Sequence, residues 1–485
     1  MKRPGLFVLM SLLFVCWRTN ASGQTLTPLW QFGGLSNDAD GGSPGASLIQ
    51  GRDGNFYGTS GWTNRAHCTV FKITPQGTLT TLWQFGSLSN NADGNVEYNV
   101  SLVQGRDGDF YGTTAFGGTN QFYGTVYKIT SAGTLTPLWQ FGSLSNHADS
   151  FAPNGLVQGN DGNFYGTTVG GELINHGTVF RITPAGSLTT LYAFGNVAGD
   201  GTTPDAALVQ GSDGNFYGTT AGGGAFGHGT VFQMSPTGTL TNIWHFTGGV
   251  DGASPFAALI QAPDGFFYGT TYGGGTNNGG TVYKITSAGT LTPLWQFGSL
   301  SNIADGFRPE APLVLGSDGN FYGTAVSGGT STYHSVGTVF KITSAGTLTP
   351  LWQFGSLSNY PSSADGDLPH GGLVQGSDGS FYGTTTFGGT NGGGAYGTVF
   401  KICVPLNPPA NEICSLSMAD SNIVVGVPSV AGETYQLQYR TDLASGDWSN
   451  IPDACVSNSL GALLTVTNFG GAVAPQGFYR FDITP

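Results

Sequence analysis

The word "DGNFYGTT" at residues 213–220 recurs along the chain with small changes. Its aspartates are Asp53, Asp107, Asp161, Asp213, Asp264, Asp318 and Asp378, spaced 51–60 residues apart. A fixed period of this size marks a repeat architecture, in which each unit buries its apolar faces only against its neighbours. The duplication is literal in places: "SAGTLTPLWQFGSLSN" stands at 131–146, 287–302 and 344–359. Each period holds four strand-like pieces separated by turn residues. In the fourth they are "AALVQG" (206–211), "NFYGTT" (215–220), "GTVFQM" (229–234) and "GTLTNIWHF" (238–246), called a, b, c and d below.

Strand b decides between architectures. Phe216 and Tyr217 are neighbours, and neighbours on a pleated strand point to opposite faces. Both faces must then be apolar, as in a sheet held between two others. A sandwich with one wet face would alternate instead, and a β-helix rung would be far shorter than ~50 residues. Radially stacked four-stranded sheets, a β-propeller, satisfy both facts. The ends of the array set the closure. A d strand, "TLTPLWQF" (25–32), comes before any a, b or c, and the last repeat stops after its c strand, "GTVFKI" (397–402). The expected fold is all-β: a seven-bladed propeller over 24–403, closed by its N-terminal strand so that no sheet edge stays open. The 82 glycines and only 9% charged residues suit many short strands and tight turns.

Residues 1–23 read as a secretory signal: Lys2 and Arg3, an apolar run from Leu6 to Trp17, then Ala21, Ser22 and Gly23. That run is too short to span a bilayer, and no later stretch reads as a membrane span. The net charge is −13, three units more negative once Lys2, Arg3 and Arg18 are removed, which argues against nucleic acid or anionic lipid as a partner. Cys68, Cys403, Cys414 and Cys455 remain, and export permits disulfides. Cys414–Cys455 is the favoured pairing and Cys403–Cys414 the alternative.

The motifs "LVQGSDGNFYGTT", "GTVFKIT" and "GTLTPLWQF" resemble the GloVer-type tandem repeat of bacterial choice-of-anchor surface proteins over roughly 25–402. The resemblance implies an exported, surface-associated protein. Such proteins are often tethered by a C-terminal sorting tail; this sequence departs from that, closing on "GFYRFDITP" without a hydrophobic tail or basic cluster. After a Pro-rich linker, "VPLNPPAN" (404–411), residues 412–485 carry the runs "SNIVVGV", "TYQLQYR", "GALLTVT" and "GFYRFDI". They resemble a fibronectin type III or immunoglobulin-like β-sandwich, with Trp448 in its core.

Chemistry has few places to sit. The aspartates of the DG turns read as hairpin residues, because Asn-Gly and Asp-Gly supply the positive φ angles of tight turns. The tryptophans Trp30, Trp83, Trp139, Trp295 and Trp352 read as blade packing rather than sugar platforms, and the lysines of "VYKIT" and "VFKIT" as solvated strand ends. The d–a and b–c loops vary in length and content, and strand alternation places both sets on one face of the ring. They hold Glu97, Glu172 and Glu310, and His67, His147, His176, His228, His334 and His370, the candidates for a ligand-binding face. One acid recurs in the d–a loops: Asp40, Asp93, Asp149, Asp200, Asp251, Asp305 and Asp365. These are candidate calcium ligands if they ring the channel mouth, and turn residues otherwise. No nucleophile motif, zinc signature or phosphate-binding glycine loop is present. The expectation is a secreted, monomeric, non-catalytic protein without an obligatory cofactor, binding a glycan, a protein or another surface component. The alternatives are a polysaccharide lyase or hydrolase at the channel mouth, or a purely structural envelope protein.

Overall fold

The computed structural model describes residues 24–404 apart from loop segments 36–38, 62–67, 96–100, 120–122, 146–147, 171–175, 330–335, 358–362 and 392–395. Beyond 404 it describes the backbone of six strands between 415 and 484.

Seven four-stranded antiparallel sheets build residues 24–404. Six follow chain order; the fourth blade is a Val209–Gln210, b Phe216–Thr220, c Thr230–Met234 and d Leu240–His245. The seventh takes a Val374–Gln375, b Phe381–Thr385 and c Thr398–Cys403 from the end of the array and its outer strand, Thr25–Gln31, from the start. Thr25 lies opposite Cys403 and Gln31 opposite Thr398. The expected seven-bladed propeller, closed by its N-terminal strand, is what forms. Strand a is shorter than the sequence suggests. Ala206 does not join the ladder; its carbonyl accepts a hydrogen bond from Thr167 Oγ1 of the preceding blade at 2.9 Å.

The aromatic pair of strand b holds the blades together. Every residue of strand b is buried in all seven blades. The Tyr of each blade lies against the Phe of the next: Tyr57 on Phe110, Tyr111 on Phe164, Tyr165 on Phe216, Tyr217 on Phe267, Tyr268 on Phe321, Tyr322 on Phe381 and Tyr382 on Phe56. Ring centroids are 3.9–4.1 Å apart throughout, so the last blade packs on the first as every other pair does. Each contact is worth ~0.5–1.5 kcal/mol beyond its buried area. The glycine that follows makes room: a Cβ on Gly218 would sit 2.5 Å from Phe232 and 2.7 Å from Leu208.

On the a–b face a second ring of bonds crosses the blades. The Gln ending strand a accepts from a turn N–H of the preceding blade, as Gln104 does from Arg52 and Gln210 from Asn160. The ring breaks once, and chemistry explains why. Pro263 has no N–H to give, and the position that would receive it is Leu315 rather than Gln.

In the C-terminal region, strands Ser415–Ala419, Asn422–Pro428 and Leu463–Asn468 form one antiparallel sheet. Thr434–Arg440, Ser449–Ser457 and Phe478–Thr484 form another. The predicted core residue Trp448 lies outside the described residues, as do the signal segment 1–23 and Cys414. Cys403 Sγ lies 3.5 Å from Ser380 Oγ, and Cys68 Sγ lies 3.2 Å from Asn95 Oδ1. Among the described residues no helix is long and apolar enough to cross a membrane.

Candidate binding site at the channel mouth

Both families of recurrent aspartate are engaged within their own blades. In the DG turns the carboxylate accepts from the hydroxyl of the Tyr four residues on, from Tyr57 to Asp53 through Tyr382 to Asp378, at 2.6–2.9 Å. Burial pulls Asp213 upward, but donors from Asn215 and Tyr217 outweigh it and hold the carboxyl below its usual range. Burial and that same carboxylate push the Tyr217 hydroxyl up to about 12. Two strand-c lysines expected to be solvated are instead paired: Lys128 with Asp107 and Asp109, and Lys401 with Asp378.

The d–a loop acids are more deeply buried. Asp40, Asp93, Asp149, Asp251, Asp305 and Asp365 each accept from the indole N–H of Trp30, Trp83, Trp139, Trp244, Trp295 and Trp352 in turn. Asp200 accepts from the Tyr192 hydroxyl, so Tyr serves in the one blade where Trp is replaced; all seven distances are 3.0–3.3 Å. A loop N–H from Gly34, Ser87, Ser143, Gly195, Thr247, Ser299 or Ser356 completes each grip at 2.9–3.2 Å. Each carboxylate therefore fastens its own d strand to the loop that follows. Among the described residues, no three His, Cys, Asp or Glu side chains come together as metal ligands.

The d–a loops next make a backbone turn that six blades share. Ser43, Ala152, Thr203, Ser254, Arg308 and Leu368 have φ between 47° and 60°, and each is followed by proline. A positive φ is costly for a residue with a side chain, ~1–3 kcal/mol. Each is held by a hydrogen bond from its N–H to a b–c loop carbonyl of the preceding blade, Thr203 to His176 and Ser254 to His228 among them. Let X be the residue after that proline; one step beyond X, the carbonyl of Ala257 accepts a hydrogen bond from Thr219 Oγ1, and that of Gly371 from Thr324 Oγ1. X is thus fixed on both sides and faces the channel.

In chain order X is Gly45, Asn154, Asp205, Phe256, Glu310 and His370. All six line one cavity of about 190 Å³ on the ring axis, with Ser101 contributed by the second blade. Small residues and hydroxyls occupy one arc; Asp205, Phe256, Glu310 and His370 come from four successive blades. His370 Nδ1 lies 2.8 Å from Glu310 Oε2. Burial first, and the Glu310 charge second, push the Asp205 carboxyl up to about 6. Among the described residues no Lys or Arg lines the cavity; Arg308 packs its guanidinium over the Tyr272 ring, 5.1 Å from the centroid.

Of the ligand-face candidates, the fold brings Glu310 and His370 together. His176 and His228 are exposed at the ends of the b–c loops, over Gly195 and Gly248. Glu97, Glu172, His67, His147 and His334 lie outside the described residues. Asp205 and Phe256 are additions to the sequence reading. The signal for them was the proline four residues before the first Leu of strand a, at 44, 204, 255, 309 and 369. The same face carries every large apolar side chain that is exposed among the described residues: Leu35, Val197, Phe226, Val250, Ile303 and Phe387.

The Gloeobacter/Verrucomicrobia repeat matches residues 15–148, 98–303 and 261–407, and the chain belongs to that family. No curated protein matches the sequence. Among solved structures it is similar to a chain described as the extracellular domain of a hybrid two-component system from B. thetaiotaomicron, at 13% identity and TM-score 0.49. That match covers 94% of this chain and 55% of the other, so this chain spans about half the length of its neighbour. It is also similar to PorZ, a surface component of the type-IX secretion system of Porphyromonas gingivalis, at 11% identity, 89% and 56% coverage and TM-score 0.47. A third is the periplasmic gluconolactonase PpgL of Pseudomonas aeruginosa, at 16% identity, 85% and 98% coverage and TM-score 0.44. Likeness at these identities concerns the fold alone.

Proposed function

We propose that this chain is an exported, non-catalytic binding protein of the bacterial surface, which takes its ligand on the face formed by the d–a and b–c loops. The observation that carries this reading is the contrast at position X. The proline turn is repeated blade after blade, while the residue it presents to the channel changes from Gly45 to Asp205, Phe256, Glu310 and His370. Packing alone favours the same residue at equivalent positions; chemical variety at one rigid register suits a ligand that is not sevenfold. The exposed apolar residues on that face favour contact with a larger surface around the mouth. The C-terminal sheets are read as a fibronectin type III or immunoglobulin-like module, a spacer or second contact, and residues 1–23 as the export signal.

Hydrolysis of a glycan is the second reading, favoured by two carboxylates, Asp205 and Glu310, in one cavity with Asp205 displaced upward. Glycoside hydrolases use such a pair as acid and as base or nucleophile. A lyase acting on uronates is disfavoured, since no Lys or Arg among the described residues lines the cavity to take a uronate carboxylate.

The test is a printed glycan array probed with the purified chain, followed by product analysis of every hit. Capture without new reducing ends supports binding, and release of reducing ends replaces it with hydrolysis. The absence of any capture by the loop face removes both.

A further inference from the structure

The mouth has a charge pattern of its own, and this inference rests on the binding reading above. Walking round the ring, Asp205 comes from the fourth blade, Phe256 from the fifth, Glu310 from the sixth and His370 from the seventh. A phenyl ring therefore stands between two carboxylates. Phe256 is only partly buried, unlike the Phe side chains of strands b and c, which are packed to near-zero exposure; its ring meets Tyr272 edge to face, 5.5 Å between centroids. An aromatic ring left facing a cavity is an apolar surface waiting for a contact. The two acids feel one another, and no Lys or Arg in the lining offsets them. His370 occupies one oxygen of Glu310 and leaves the other for a donor.

We infer that the mouth binds a protonated primary amine, seated over Phe256 and between Asp205 and Glu310, with its carbon skeleton toward the uncharged polar arc of Ser47, Ser101 and Asn154. Three properties of that group match three of the site. An ammonium offers three N–H donors to acceptor-only carboxylates. Its charge is attracted to an aromatic face, and it relieves the repulsion between two acids that line one cavity. The cavity, about 190 Å³, lies below the usual range for drug-sized ligands, so it admits one small unit rather than a chain. A hexosamine residue and a lysine side chain both carry this chemistry.

Calorimetric titration of the purified chain with four small probes separates these sources. The probes are methyl glucosaminide, its N-acetyl counterpart, Nα-acetyl-lysine methylamide, and the neutral acetyl-norleucine methylamide. One amine is expected to bind at least tenfold more tightly than its neutral partner, and the arm that wins names the source. Asp205→Asn and Glu310→Gln, which keep side-chain shape, should each weaken that amine about tenfold, and Phe256→Leu several-fold. Asp213→Asn, on the opposite face, should leave binding unchanged, and thermal unfolding of each variant checks that it is folded. Equal affinity for amine and neutral partner overturns the inference, as does the lack of any amine binding at tens of millimolar. Unchanged affinity in both acid variants does the same. Should the array show a neutral glycan on the loop face while no amine binds, this inference fails and the proposed function stands. Should nothing dock on that face, both fail.

Discussion

The two faces of the ring are made from the same kind of material and end up with different jobs. Each carries seven aspartates in glycine-rich loops. On the a–b face the carboxylate, the Tyr hydroxyl and the Gln ring repeat in nearly every blade, and where they break, at Pro263 and Leu315, donor and acceptor vanish together. On the d–a face the aspartates are equally faithful, each bonded to an indole or, at Tyr192, a phenol. Variation there is confined to the loop tips and to the residue after the recurrent proline. In a repeat protein, a position can therefore be judged by whether its departures are compensated. Compensated departures belong to the scaffold; among the channel residues Glu310 and His370 are paired with each other, and the variety at Asp205 and Phe256 is what supports the proposed ligand site.

That contrast can be attacked from its foundations. Removing residues 25–32 deprives the seventh blade of the strand that pairs with Thr398–Cys403. Calorimetry should then find no single cooperative transition, and an unaltered melting curve would falsify ring closure by that strand. Next in size is the d–a grip. Asp305→Ala removes a fully buried carboxylate and leaves the partly buried Trp295 indole and the Ser299 N–H without their acceptor. The expected loss is ~2–3 kcal/mol in denaturant unfolding, since hydrogen bonds to a charged group are lost together with a buried side chain. The matching change on the other face, Asp213→Ala, takes an exposed carboxylate away from Asn215 and from the Tyr217 hydroxyl, which keeps Gln233 as a partner, and should cost ~1 kcal/mol. Equal losses would erase the distinction between a buried fastening and a surface turn.

A smaller effect has the opposite sign. Tyr127 and Tyr283 take the place of a strand-c Phe such as Phe71 or Phe232, and their buried hydroxyls have no hydrogen-bond partner among the described residues. Tyr127→Phe and Tyr283→Phe should each stabilise the ring by up to ~1 kcal/mol; destabilisation would mean that these hydroxyls are satisfied.

The smallest effect is a pH slope. Asp205 holds its proton more tightly when folded, up to about 6, so it contributes a loss of stability as pH rises from about 4 toward 6. Asp205→Asn removes that loss. The variant should melt with the parent at pH 4 and above it at pH 7, a difference from which the other carboxylates cancel. No divergence would place Asp205 in open water.

Much of this was legible before any coordinates. Period, strand content and the displaced first d strand determine blade number and closure, because pairing and burial must balance around a ring. The adjacent Phe and Tyr of strand b announce a sheet buried on both faces. What could not be read was which loop residues converge. Glu310 and His370 are 60 positions apart and meet because one register position is presented by neighbouring blades. The turn responsible relies on a positive φ at residues as unlike as Ser43, Arg308 and Leu368, for which side-chain identity gives no warning. The indole–Asp bonds were hidden for a related reason: Trp295 and Asp305 looked like a packing residue and a turn residue until the loop folded back.

The most direct test of the account is the quadruple variant Asp205→Ala, Phe256→Ala, Glu310→Ala, His370→Ala, compared with the parent by thermal unfolding and on the glycan array. If the mouth is a site carried by an independent scaffold, the variant melts within a few degrees of the parent and loses the captured ligand. A variant that melts far lower, or that captures the same ligand as the parent, would contradict it.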